Sequence, residues 1–172
     1  MRISTGVDTD NLSRDLVQPG EPALAEIQAV FGGKIVGLDG RLQRDELARL
    51  VFSDSVARRK LEDILHPRIL EGWLAQIEDW RKAGHRLAVV VIPLLFETRA
   101  ESHFDKIICV ACSSAAQRER LAARGWDAEQ IRQRLAAQLP AEAKIARSHH
   151  VIWTEGLLAV QQRQVEQILK KL

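Results

Sequence analysis

Apolar residues recur at helical spacing through the first half of the chain, which predicts several helices. The pattern predicts helices over residues 21–31, 44–52, 53–65 and 66–82, after a short strand over 3–7. Proline has no amide hydrogen for a helix interior, so we expect a break between Leu65 and His66, with Pro67 in the first turn of a new helix. A turn is predicted over residues 38–41.

Continuous apolar, β-branched runs alternate with helical patterns in the second half. They predict strands over 87–92, 106–111 and 150–153, and helices over 114–124, 127–139 and 156–172. Runs of this kind are typical of parallel strands that are buried on both faces. Strands that alternate with helices also favour right-handed crossover connections, so the sequence predicts an α/β fold.

The composition narrows the function classes. The 172 residues carry a net charge of +2, which excludes a polycationic nucleic-acid binder. Hydrophobic residues make up 46% and charged residues 28%, which excludes global disorder. No run approaches the roughly 18 apolar residues of a membrane span, and two cysteines are too few for a disulfide framework. We expect a cytoplasmic protein without nucleic-acid or membrane partners; the oligomeric state stays open.

Candidate chemistry lies where predicted strands end, because open α/β sheets bind ligands at the carboxyl ends of their strands. Asp8 and Asp10 follow the first strand, Pro93 follows the second, and Thr154 follows the last. Two carboxylates at alternate positions can hold a metal ion or accept a substrate proton. They can equally cap a helix from a loop, and the local pattern leaves both interpretations open.

Arginines crowd the predicted helices over 114–124 and 127–139. Guanidinium groups suit phosphate oxygens, although a solvated helix face is the commoner reason for such a run. Cys109 and Cys112 have redox-type spacing, but Cys109 lies in a predicted strand and two thiols are too few for a structural metal. His149 and His150 are adjacent on a strand and face opposite ways, so neither pair indicates a site.

Ordered segments along the chain resemble the dephospho-CoA kinase family. The matching segments are Val7-Asp8-Thr9-Asp10, Asp39-Gly40-Arg41-Leu42, Leu65-His66-Pro67-Arg68-Ile69, Ile92-Pro93-Leu94-Leu95-Phe96-Glu97, Gln117 with Arg120 and Arg124, and Gln138 with Lys144. Each segment alone is a weak motif, whereas the ordered set is specific and spans nearly the whole chain. The resemblance implies ATP-dependent phosphorylation of the ribose 3′-hydroxyl of dephospho-CoA, the last step of coenzyme A synthesis, with Mg²⁺ as cofactor.

The resemblance also implies roles and a division of the chain. Asp10 would orient or deprotonate the hydroxyl, with Asp8 beside it as a candidate Mg²⁺ ligand and Arg124 as a further catalytic residue. Substrate contacts would be His66, Pro67, Pro93, Leu94, Leu95 and Glu97, and ATP or lid contacts would be Arg120, Arg134 and Thr154. A P-loop-kinase-like parallel-sheet core would comprise 1–36 and 85–172, with an arginine-rich lid at about 117–147, and a helical CoA-binding lobe would comprise 37–84.

One departure from the family is serious. Its first strand, G-x-x-x-x-G-K-[ST] loop and first helix find no match: Gly33-Lys34 is followed by Ile35, and Gln28 stands where the first glycine belongs. We therefore expect negligible kinase activity from the chain as written. Either Met1 is an internal methionine of a longer enzyme, or the chain is a degenerate paralogue that binds CoA-like ligands or a partner. The in-frame DNA upstream of Met1 would separate these two explanations. A nucleoside-monophosphate kinase relative is a further alternative.

Overall fold

Two parallel strand pairs, each with its own helices, organise the computed structural model, which describes residues 5–172. The elements are β1 (Thr5–Asp8), α1 (Thr9–Asp15), α2 (Pro22–Phe31), α3 (Arg44–Ser53), α4 (Ser55–Lys82), β2 (Ala88–Val91), β3 (Ile108–Ala111), α5 (Ser114–Ala123), α6 (Ala128–Ala136), α7 (Ala141–Ala146), β4 (His150–Trp153) and α8 (Leu158–Leu169). They form two compact units, which we call the first unit (5–93) and the second unit (94–172).

In the first unit β1 pairs in parallel with β2, with Thr5 opposite Ala88 and Asp8 opposite Val91. The buried hydroxyl of Thr9 donates to the carbonyl of Val91 at 3.1 Å, which ties the start of α1 to the end of β2. The carboxyl ends of the two strands therefore lie side by side. The strand predicted over 3–7 is confirmed from Thr5 onward, and its first two residues lie outside the described part of the chain.

The helices of the first unit share one apolar core. Its buried members are Val17, Ala23, Ile27, Ile35, Leu47, Val51 and Ile64. Pro22 starts α2 at a position where its missing amide hydrogen costs nothing, and Gly32, with φ of 88°, ends it in a conformation that glycine adopts without strain. The Gly33-Lys34 pair lies in a single 3₁₀ turn, Gly33–Ile35.

The predicted helix break at His66 is wrong, because α4 runs without interruption from Ser55 to Lys82 with Pro67 inside it. Proline cannot donate to the carbonyl four residues earlier and crowds that turn. The carbonyl that loses its amide donor is that of Asp63. One guanidinium nitrogen of Arg68 donates to the Ile64 carbonyl at 2.6 Å, and another pairs with Glu26 of α2 at 2.6 Å, which ties this part of α4 to α2. Packing of Ile64 and Trp73, both buried, holds the helix together on either side of the proline.

In the second unit β3 pairs in parallel with β4, and α5 to α7 lie between them in the chain. The parallel pairs confirm the α/β prediction. The helix predicted over 127–139 is confirmed over Ala128–Ala136 and ends three residues early, because Leu139 precedes Pro140 and a residue before proline disfavours helical geometry. The sequence analysis did not predict α7. The last helix is shorter than predicted, Leu158–Leu169.

The predicted strands occur where expected but are four residues long, and their predicted burial on both faces is wrong. On β2, Val91 is 51% exposed, and on β3, Val110 is 66% exposed while Ala111 is buried. Each strand has a single neighbour within the described residues, so each strand there has one edge without a strand partner. No helix between residues 5 and 172 is long and apolar enough to cross a membrane. The predicted division into 1–36 with 85–172 and 37–84 stays a prediction.

Candidate functional site

Asp8 and Asp10 lie together at the end of β1, in different roles. The Asp8 carboxylate caps α1 and accepts a hydrogen bond from the Asp10 amide at 2.9 Å, which confirms the helix-capping interpretation for Asp8. Asp10 lies in the first turn of α1, where a negative charge is favoured by the helix dipole. Its carboxylate is exposed and has no hydrogen-bond or ion-pair partner within residues 5–172. The cap therefore presents Asp10 to solvent at the carboxyl edge of the strand pair.

Asp8 and Asp10 are the side chains at this strand end whose chemistry suits a magnesium ion. Mg²⁺ prefers oxygen ligands and usually combines one or two carboxylates with water and substrate phosphates. The described residues hold no group of three or more His, Cys, Asp or Glu side chains that could form a complete metal cage. Asp10 and the carboxylate oxygen of Asp8 that does not cap the helix are the protein ligands that such an ion would find here.

The predicted substrate-binding residues occupy three places. Pro93 follows the end of β2, at the same edge as Asp8. His66 is half-buried and Pro67 exposed on α4, and Leu94 and Leu95 begin the second unit.

A surface pocket of about 440 Å³ lies beside α4, lined by Leu16, Glu21, Pro22, Ala23, Arg68, Glu71 and Gly72. Of the predicted His-Pro-Arg motif, Arg68 alone lines this pocket.

Glu97 has partners inside the second unit. One carboxylate oxygen accepts from the Lys144 ammonium at 2.8 Å and from the Leu139 amide at 2.9 Å, and the side chains of Glu97 and Lys144 are only 19% and 17% exposed. Burial opposes ionisation of Glu97, but hydrogen bonds from Lys144 and Leu139 outweigh it and lower the pKa of the carboxyl. Glu97 is therefore ionised in the folded protein at neutral pH.

This lowered pKa predicts a stability change in acid. The unfolded chain takes up a proton at Glu97 near the ordinary value of 4.5, before the folded chain does. The free energy of unfolding should therefore fall as pH drops below about 4.5 and towards the lower folded pKa. Urea unfolding between about pH 6 and pH 3.5 should show a steeper loss in wild type than in Glu97→Gln. An equal loss of unfolding free energy with falling pH in the two proteins would contradict this prediction.

Arg120 and Thr154, two predicted ATP contacts, meet in the second unit. The Arg120 guanidinium donates to the Thr154 hydroxyl at 2.9 Å and to its carbonyl at 2.7 Å. Glu155, the next residue, accepts from the Ser113 amide at 2.6 Å at the start of α5, and hydrogen bonds from Ser113 lower its pKa. The arginine fork thus holds the loop after β4 against α5.

The other predicted arginines differ in surroundings. Arg134 of α6 stacks over the ring of Trp126 at 3.9 Å, and burial lowers the pKa of its guanidinium, which stays charged. Arg124 follows the end of α5, is exposed, and has no hydrogen-bond or ion-pair partner in the part of the chain that the structure describes. Arg124 is therefore the more accessible of the two to a phosphate group.

The weak candidates are structural. The Ile107 amide donates to His149 Nδ1 at 3.1 Å, so the ring fastens the chain just before β4. Cys109 and Cys112 are free thiols, and burial raises the pKa of Cys109.

Sequence reasoning missed roles for Thr9, Trp126, Lys144 and Arg147. Lys144 was noticed as part of a motif, but its acidic partner was not. The one signal in the sequence is complementary spacing: Lys144 and Arg147 are three residues apart, and their partners Glu97 and Glu101 are four apart.

Comparisons with known proteins give the family. The model of the dephospho-CoA kinase family (CoaE) matches residues 4–159. A dephospho-CoA kinase from Bdellovibrio bacteriovorus is 36% identical over 166 residues, which cover 96% of this chain and 83% of that protein. One from Anaeromyxobacter dehalogenans is 41% identical over 151 residues, which cover 87% and 72%.

Two solved structures resemble this chain in fold. TT1252 from Thermus thermophilus superposes with a TM-score of 0.75 at 30% identity, covering 98% of this chain and 84% of that one. Dephospho-CoA kinase from Campylobacter jejuni gives a TM-score of 0.68 at 21% identity, covering 97% and 84%, which is a likeness of fold alone.

Carboxylates at the end of a parallel strand pair, in a chain with arginine-bearing helices, fit an α/β phosphotransferase, since such folds bind ligands at strand ends and phosphoryl transfer needs positive charge. The chain belongs to the dephospho-CoA kinase family, whose members are P-loop kinases that use ATP in the final step of coenzyme A biosynthesis.

Proposed function

We propose that the residues of this chain serve the transfer of the γ-phosphoryl group of ATP to the ribose 3′-hydroxyl of dephospho-CoA, with Asp10 receiving the hydroxyl proton. The observation that carries this proposal lies at the start of α1. Asp8 uses one carboxylate oxygen as the helix cap, and the neighbouring Asp10 carboxylate stays exposed and unpaired within residues 5–172. A general base needs an accessible carboxylate of this kind.

The reaction requires little covalent chemistry from the protein itself. The ribose oxygen bonds to the γ-phosphorus while the bond from that phosphorus to the β,γ-bridging oxygen breaks, and ADP leaves with that electron pair. The hydroxyl proton passes to the Asp10 carboxylate. Mg²⁺, when bound, would offset negative charge on the phosphates, and Asp8 is the second carboxylate that could hold it, directly or through water.

The remaining predicted contacts are part of the same proposal. His66, Pro67, Pro93, Leu94, Leu95 and Glu97 would serve the acceptor, and Arg120, Arg124, Arg134 and Thr154 would serve ATP. The exposure of Arg124 supports a phosphate contact. Its guanidinium makes no hydrogen bond or ion pair among the described residues that a phosphate would have to replace. We place the reaction in the cytoplasm, where ATP is available.

A substrate panel tests the proposal. The 172-residue chain and the protein from the complete in-frame reading frame that contains it are each assayed with ATP, Mg²⁺ and either dephospho-CoA, AMP or CMP. We expect kcat/KM for dephospho-CoA to exceed that for either mononucleotide by about 100-fold or more, and chelation of Mg²⁺ to abolish turnover. Preference for a mononucleotide would favour the nucleoside-monophosphate kinase alternative. If calorimetry shows that dephospho-CoA binds but neither protein turns it over, the result would favour the other alternative, a non-catalytic paralogue that binds CoA-like ligands.

A further inference from the structure

A pair of acid–base contacts fastens residues 94–103 to α7 within the second unit. Glu97 accepts from Lys144 at 2.8 Å, and Glu101 pairs with Arg147. The Arg147 guanidinium also lies over the Phe96 ring, 4.4 Å from its centroid. Residues from one short helix thus hold two carboxylates and an aromatic ring of one segment.

The Glu97–Lys144 contact differs from the ion pairs on exposed helix faces. Glu129 and Arg132 of α6 form such an exposed pair, with side chains 56% and 68% exposed, whereas those of Glu97 and Lys144 are 19% and 17% exposed. The second carboxylate oxygen of Glu97 is buried and has no hydrogen-bond partner in the part of the chain that the structure describes. Burying an ion pair removes both charges from water, which costs free energy. A well-packed apolar pair in the same place often stabilises a fold at least as much. Stability alone therefore gives little reason for this pair.

The two ends of the contact carry different parts of the proposed site. Glu97 lies within the turn over residues 94–99, which we call the acceptor turn because Leu94 and Leu95 are proposed dephospho-CoA contacts. Leu139, whose amide donates to Glu97 at 2.9 Å, lies in the linker between α6 and α7, directly after the helix that carries Arg134. One carboxylate oxygen therefore fixes the acceptor turn, the linker and α7 together.

We propose that Glu97 and Lys144 are a positioning pair that fixes the acceptor turn relative to the linker between α6 and α7. This inference rests on the proposed function. Lys144 acts through Glu97, and Glu97 acts through Leu94 and Leu95, so neither need touch the reacting atoms. The direct contact of Glu97 with dephospho-CoA is a separate prediction.

Steady-state kinetics of the protein from the complete reading frame test the pair. Glu97→Gln and Lys144→Met should each raise KM for dephospho-CoA about tenfold, while KM for ATP and kcat stay within about threefold of wild type. The double variant should resemble either single variant, because each change already breaks the same contact. Lys144→Arg keeps the charge and should retain most of the affinity. The control is Glu166→Gln with Lys170→Met, two exposed side chains at the end of α8 and outside the proposed lid and CoA-binding lobe, which should leave all three constants within about twofold.

Hydrogen exchange of the 172-residue chain, without ligand, tests the positioning separately from the function. The Thr98 and Ala100 amides bond to the Leu94 and Leu95 carbonyls in the acceptor turn. Their exchange should speed up about tenfold in Lys144→Met and in Glu97→Gln but not in the control.

Unchanged exchange in either folded variant would overturn the proposal, as would kinetic losses spread equally over both substrates and kcat. If wild type neither binds nor phosphorylates dephospho-CoA, the proposed function fails and the assigned role of the pair in catalysis fails with it. The exchange result still decides whether the pair fixes the turn.

Discussion

Asp10→Asn should lower kcat for coenzyme A formation by about 100-fold or more in the protein from the complete reading frame. Asparagine keeps the shape of aspartate but cannot accept the hydroxyl proton. Because the Asp10 amide, and not its side chain, takes part in the helix cap, α1 should keep its start. KM for dephospho-CoA should stay within about threefold, so the loss falls on the transition state.

Asp15→Asn is the matched control, since Asp15 is an exposed carboxylate at the other end of the same helix. Its kinetics should match wild type. Initial-rate measurements at saturating ATP and Mg²⁺ would check both variants. Full turnover in Asp10→Asn would remove Asp10 from the mechanism, and an equal loss in Asp15→Asn would point to a general charge effect on α1.

Ile27→Ala should lower the free energy of unfolding of the first unit by about 3 kcal/mol. Ile27 is completely buried on α2, in the core that also contains Ile35 and Ile64. Truncation removes apolar contacts and leaves a cavity that neighbours on three helices cannot easily fill. Ile64 belongs to α4, which carries His66, so this core also supports a predicted acceptor contact.

Chemical denaturation followed by circular dichroism would measure the change. Val30→Ala is the control, because Val30 lies on the same helix but is 44% exposed, and its truncation should cost no more than about 0.5 kcal/mol. A cost below about 1 kcal/mol for Ile27→Ala would contradict the packing of α2 on this core.

Local signals predicted much of the secondary structure. Pro22 and Gly32 mark the ends of α2, and Asp54 caps α4 from the position directly before it. These features depend on the conformational limits of single residues and on hydrogen bonds between near neighbours. The break at Pro67 was a local inference too, and it failed because tertiary contacts on either side of the proline hold α4 in place: Ile64 and Trp73 are buried, and Arg68 pairs with Glu26 of α2.

The sequence by itself determined the α/β class, the two adjacent carboxylates at a strand end and the ordered motifs of a kinase family. All of these depend on residue type and spacing along the chain. The tertiary structure decided which oxygen of Asp8 caps α1 and that the Arg120 guanidinium donates to Thr154. It also decided that Glu97 accepts hydrogen bonds from Lys144 and Leu139. Residues 97 and 139 are 42 positions apart. Contacts at such separations depend on how helices and strands pack, which the conformational limits of single residues and hydrogen bonds between near neighbours do not determine.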